Sequence, residues 1–187
     1  MARISPPDKA PWTGKVMNFL LTRRFGKPFP ALQLLGHHAQ YPFAYGVLSS
    51  VFGLAKTNLP LETKRLATQL VAELNSCSFC IDLGKRLAQD EKLNLEKLHH
   101  VLEFETRASF TPAERAALRY AFEATQVMAR VSEATFNDLK QHFTEREILE
   151  LTVAVATENF YNRLNAPLEV ESQGFCALPT ATRGQTT

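Results

Sequence analysis

Apolar residues recur three and four positions apart along most of this 187-residue chain. No stretch keeps the two-residue alternation of a half-buried strand. The spacing predicts helices throughout. Trp12 to Arg24 places Val16, Phe19 and Leu20 on one face and is stopped by Gly26 and Pro28. Pro30 to His38 reads as a short helix, and Phe43 to Leu54 as an apolar one closed by Gly53 and Asn58-Leu-Pro60. Leu61 to Leu74 follows, with Leu66, Ala67, Leu70 and Leu74 at helical spacing. A further helix to about Gln89 and one from Leu95 to Glu103 complete the first half. Thr111-Pro112-Ala-Glu114 is a capping box with proline at the first helical position, and its helix is expected to run through Leu118, Phe122 and Met128. Ser132 caps a shorter helix with Phe136 and Leu139 inward. Thr144-Glu-Arg-Glu147 is a second capping box, opening a long helix through Ile148, Leu151, Val155 and Phe160 to about Leu164.

The expectation is an all-α, single-domain bundle of about nine helices. Residues 1–27 form a basic arm and helix, 28–168 the helical domain, and 169–187 a loosely ordered tail in which Phe175 and Cys176 can dock. Composition is that of a globular domain, with 45% hydrophobic and 21% charged residues. The net charge of +2 says little about partners, but residues 1–28 carry six basic residues and one acid. That arm lacks the long basic run with interleaved aromatics that nucleic acid calls for, and a solvated or subunit-packing role is preferred. No apolar run approaches the ~20 residues of a membrane span, and no signal segment is evident. A cytoplasmic location is expected, without nucleic-acid or membrane partners.

Chemistry concentrates at Cys77-Ser-Phe-Cys80, which holds two of the three cysteines. Asn75 and Ser76 are good capping residues, so a helix is expected to open at Cys77 and to place both sulfurs on one face. The amides of a helix start favour a thiolate, the reactive form of cysteine. Zinc is disfavoured because Cys176 stands alone and the pairs His37-His38 and His99-His100 lack the i, i+4 spacing of two ligands on one helix face. No metal or other cofactor is expected. The blander reading of the pair is two small apolar core residues.

The segment Leu66–Ala88 resembles the core motif of the carboxymuconolactone decarboxylase and alkylhydroperoxidase D-like superfamily. Softer resemblances lie at Pro28-Phe-Pro-Ala-Leu32, Phe110–Leu118, Thr144–Leu151 and Asn159-Phe-Tyr-Asn-Arg163, covering about residues 28 to 168. The resemblance implies an all-α homo-oligomer. It also implies a dithiol that reduces a peroxide or small disulfide, Cys80 meeting the substrate and Cys77 resolving it, recharged by a dithiol reductant. Thiol-active members carry a Glu twelve positions before the first Cys and a His four after the second. Those positions are Arg65 and Gly84 here, so the proton relay is missing. Arg65 can stabilise a thiolate by charge, and Glu73 is a candidate proton acceptor, although a solvent-facing charge is the preferred reading of Glu73. Asp82 is expected at the surface, His99 and His100 on an exposed face, Arg163 against an acid, and the 13 phenylalanines in the core. The alternative function is a non-catalytic structural or binding member of the same fold.

Overall fold

The computed structural model describes residues 2–176. Among them every regular element is helical. The helices are α1 (Trp12–Phe25), α2 (Pro30–Leu35), α3 (Tyr41–Leu54), α4 (Leu61–Leu74), α5 (Ser78–Asp90), α6 (Leu95–His99), α7 (Pro112–Thr125), α8 (Glu133–His142) and α9 (Glu145–Asn165). Short 3-10 turns occupy Val101–Glu103 and Ala166–Leu168. Both capping boxes form. Thr111 Oγ1 accepts from the Glu114 amide and Glu114 Oε2 from the Thr111 amide, and Thr144 and Glu147 repeat the exchange.

The bundle is built around α4, which packs against α5, α7 and α9. Its Leu66, Ala67, Leu70 and Val71 are fully buried. Removing a leucine or valine side chain of this kind from water stabilises by roughly 1.5–3 kcal/mol. One apolar cluster joins α4 to Leu98, Phe110, Leu118, Leu139 and Leu151. A second joins Phe29, Leu32, Phe79, Cys77 and Cys80 to Val170 and Phe175.

Several expectations change. The helix opened by Thr111 ends at Thr125, and Met128 lies beyond it, exposed. Phe136 leans on the Tyr120 ring from an exposed position, not inward. The phenylalanines are not all core, since Phe19, Phe43, Phe52, Phe122 and Phe160 are also exposed. The segment after 168 is not loose through residue 176: Val170 and Phe175 are 3% and 4% exposed. Residues 177–187, the rest of the expected tail, lie outside the described residues.

Candidate functional site

The chain breaks between α4 and α5 in a way that fixes both cysteines. Asn75 closes α4 instead of capping α5. Its Nδ2 donates to Val71 O, Asn159 Oδ1 and Asn162 Oδ1 at 3.1, 3.0 and 3.2 Å, which ties the break to α9. Ser76 adopts the left-handed conformation at φ 52°, reversing the chain. Cys77 then takes the capping position, its carbonyl accepting from the Ile81 amide at 2.9 Å. Cys80 falls on the third residue of α5, where the first-turn amides favour negative charge. The two sulfurs are bonded as a disulfide, with the Cα atoms 5.3 Å apart.

The disulfide is sealed, Cys77 being 1% and Cys80 6% exposed. Part of the cover is the strap 170–176, which runs along α5. Ser78 Oγ donates to Val170 O at 3.4 Å, and Arg86 Nη1 to Phe175 O at 3.3 Å. Asp82, expected at the surface, is the strap's anchor. Its Oδ2 accepts from Ser172 Oγ and from the Gln173 and Phe175 amides at 2.8, 3.0 and 2.9 Å, and its Oδ1 from the Cys176 amide at 2.9 Å. Burial pushes the Asp82 carboxyl up, but these four donors outweigh it and hold the group below its ordinary value. Phe175 packs edge-on against Phe79 and in a tilted arrangement against Phe29. The Cys176 thiol points to Gln89 on α5.

Position 65 is occupied by an ion pair. Arg65 Nε and Nη2 bind Glu91 in a two-pronged arrangement at 2.7 and 2.5 Å. Arg65 is therefore engaged at the far end of α5, and its guanidinium is not aimed at the sulfurs. Position 84 is occupied by a neighbour: a Cβ on Gly84 would stand 2.5 Å from Gln69 Oε1. Gln69 is 1% exposed, its Oε1 has no hydrogen-bond partner among the described residues, and its Nε2 donates to Glu73 Oε1 at 3.1 Å. Glu73 is half-buried beside Lys85 Nζ at 3.6 Å, a paired charge and not a solvent-facing one. His99 is exposed, and His100 pairs with Glu103 at 3.1 Å. Arg163, expected against an acid, donates to the Thr125 carbonyl. No cluster of three or more His, Cys, Asp or Glu side chains suited to a metal occurs among the described residues.

Two groups escaped the sequence reading. Asn165 closes α9 and donates from Nδ2 to Cys80 Sγ at 3.8 Å. Glu158, two turns earlier on α9, accepts from Asn162 Nδ2 at 2.6 Å, and Tyr45, Tyr161 and Arg65 surround it. Burial pushes the Glu158 carboxyl up to about 7, against the pull of the Asn162 hydrogen bond and the Arg65 charge. The recurrence of Glu158, Asn162 and Asn165 at i, i+4 and i+7 was the available signal, since polar groups at that spacing form one helix face.

Residues 43–123 match the profile of the Carboxymuconolactone decarboxylase family, as the resemblance implied. The uncharacterised protein YnjA of Escherichia coli K12 is 26% identical over 179 residues, covering 94% of this chain and 97% of that protein. A cysteine-to-alanine variant of the debrominase Bmp8, solved with 2,3,4-tribromopyrrole, superposes with a TM-score of 0.78 at 20% identity over 94% of this chain and 95% of that one. An alkylhydroperoxidase AhpD core, an uncharacterised peroxidase-related protein from Ralstonia eutropha JMP134, gives 0.80 at 19% identity over 93% and 94%. These likenesses establish the all-α alkylhydroperoxidase-like fold.

Proposed function

Starting from a chain that carries the carboxymuconolactone decarboxylase family's domain over residues 43–123, we propose that it is a thiol–disulfide oxidoreductase acting through Cys77 and Cys80. The observation that carries this reading is the bonded pair at a helix start, where a thiolate is stabilised and the Cα atoms, 5.3 Å apart, lie within the ordinary span of a disulfide. The Cys80 thiolate attacks the outer oxygen of a hydroperoxide, forming a sulfenic acid and releasing an alkoxide that takes up a proton. The Cys77 thiol then attacks the Cys80 sulfur, the S–S bond forms and water leaves. Overall, dithiol and hydroperoxide give disulfide, alcohol and water. An external dithiol returns the pair to its reduced form by exchange. A cytosolic setting, where such a reductant is present, belongs to this reading. So does a halogenated aromatic as alternative oxidant, because the debrominase Bmp8 shares the fold.

The second reading, a non-catalytic member of the fold, is favoured by the Arg65–Glu91 pair, by Gln69 over Gly84, and by the sealed sulfurs. The experiment follows the loss of free thiols after adding an alkyl hydroperoxide or 2,3,4-tribromopyrrole to the reduced protein. Wild type is expected to form the Cys77–Cys80 disulfide slowly and Cys80→Ser not at all. Arg65→Glu with Gly84→His is expected to work only when Gln69→Ala makes room for the imidazole, and then to raise the rate on the order of a hundredfold. If no native disulfide forms and the triple variant is no faster, the non-catalytic reading replaces this one.

Homo-oligomerisation is part of the proposal. Helix α3 contains no charged residue, and Phe43, Val47 and Val51 are exposed on it beside Trp12, Val16 and Phe19 of the adjoining α1. Exposed apolar side chains on two adjoining helices support an interface here. Light scattering is expected to give a multiple of 21.0 kDa at micromolar concentration, and Phe43→Glu with Val47→Glu to lower it. A 21.0 kDa wild-type species would remove the oligomer.

A further inference from the structure

The last two turns of α9 bury three asparagines, Asn159, Asn162 and Asn165, at 7%, 0% and 1% exposure. A buried amide without partners is costly, so each must be engaged. Asn159 donates to Thr125 Oγ1 and Val155 O and accepts from Asn75. Asn162 accepts from Asn75 and donates to Glu158. These two fasten α9 to the residue that lies two positions before Cys77. Asn165 is different, because its amide nitrogen meets a sulfur, Cys80 Sγ. Its backbone is fixed as well, since the Asn165 carbonyl accepts from the Val170 amide at 3.1 Å.

A disulfide sulfur is a weak acceptor, and a thiolate accepts charge-assisted hydrogen bonds that are about twice as strong as neutral ones. The Asn165 contact therefore gains strength when the disulfide is reduced, and it reaches one sulfur of the two. We propose that Asn165 is a catalytic residue of the dithiol: its side-chain amide holds Cys80, in preference to Cys77, as the thiolate. This rests on the redox reading of the pair and extends it. When an external thiolate attacks Cys77 Sγ, the Cys77–Cys80 bond breaks, its electron pair leaves on Cys80 Sγ against the Asn165 amide, and a mixed disulfide remains on Cys77. In the reduced protein the Cys80 proton goes to solvent. The arrangement needs neither a Glu at 65 nor a His at 84.

The charged and titratable groups on the packed elements include Glu73 and Arg65 of α4, Asp82, Lys85, Arg86 and Asp90 of α5, Tyr45 of α3 and Glu158 and Tyr161 of α9; Arg65 is committed to Glu91, and Arg86 pairs with Asp90. Glu73 and Lys85 pair with each other, and Asp82 is saturated by the strap. Glu158 titrates near neutrality, so the measurement is made both with Glu158 and with Glu158→Gln in its place.

The test is the pH dependence of iodoacetamide alkylation in chains with a single remaining thiol. Cys77→Ser with Cys176→Ser leaves Cys80, and Cys80→Ser with Cys176→Ser leaves Cys77. On Cys80, Asn165→Ala is expected to raise the pH midpoint and slow alkylation at pH 7 about tenfold, the size of a hydrogen bond to a charged group. Asn165→Asp, the same shape with a like charge, is expected to slow it further. Cys77 should change less than about twofold in either variant. If Asn165→Ala fails to fold by circular dichroism, the isosteric Asn165→Asp decides alone. Equal effects on both cysteines, or an unchanged or faster Cys80 in Asn165→Asp, overturn the proposal. Absence of any native disulfide on peroxide treatment would remove the redox reading while leaving this alkylation order intact, so the two failures are distinguishable.

Discussion

Asp82→Ala is expected to let dithiothreitol reduce the Cys77–Cys80 disulfide roughly 30-fold faster than in wild type. The strap 170–176 receives hydrogen bonds from Ser78, Arg86 and Lys27 and gives one to the Asn165 carbonyl. Its densest anchor is Asp82, where one carboxylate satisfies three backbone amides and a hydroxyl, and Phe175 then fits among Phe25, Phe29 and Phe79. Hydrogen bonds to a charged acceptor are worth about 1.5–3 kcal/mol each, but a freed strap regains water, so a net loss of ~2–4 kcal/mol is expected. A loss of ~2 kcal/mol in the cost of opening corresponds to the ~30-fold rate when reduction proceeds through the open form. Reduction is followed by thiol counting, and stability by the urea midpoint. An unchanged reduction rate alongside a lowered midpoint would mean that the strap does not cover the sulfurs. The linkage has a defined sign. Because Asp82 is held below its ordinary 3.8, its contribution is present above that value and is lost as pH falls through the depressed one.

The difference between what was legible in the sequence and what was not follows from the range of each interaction. Thr111–Glu114 and Thr144–Glu147 were legible because a capping box is complete within four residues. Helix α4 was legible to its end residues, since Leu61 follows a proline and the period is unbroken to Leu74. The closeness of Cys77 and Cys80 was legible because both lie within four residues of each other. Asp82 was not, because its partners are amides of Gln173, Phe175 and Cys176, more than ninety positions on, and an amide leaves no trace in the residue type. Gln69 was hidden by its neighbour: only packing reveals that it occupies the room left by Gly84. The phenylalanines misled because residue type reports hydrophobicity and not position: Phe43 is 61% exposed and Phe79 1%.

Glu158→Gln is expected to stabilise the protein at pH 8 and leave it unchanged at pH 4.5. Glu158 is ringed by Tyr45 from α3, Tyr161 and Asn162 from α9, and Arg65 from α4, whose guanidinium is already committed to Glu91. Burial therefore dominates, and the carboxyl rises from 4.5 to about 7. A carboxyl whose folded value is raised binds its proton more tightly in the folded chain. Its contribution is fully present below the unfolded value and is lost as pH climbs through the folded one. The window is pH 4.5 to about 7, opposite in slope to that of Asp82. At about 1.4 kcal/mol per unit the full shift is about 3.5 kcal/mol; part of the Glu158 side chain reaches solvent, which brings the expected loss to ~1–3 kcal/mol. Glutamine keeps an acceptor for Asn162 and cannot ionise, so it recovers that loss at pH 8. In a domain of this size the recovery is a rise of roughly 3–9 °C in the unfolding midpoint. Scanning calorimetry at the two pH values measures it. A shift of equal size at pH 4.5 and pH 8 would mean that the substitution acts through packing, and that Glu158 is already ionised in the folded chain throughout this range.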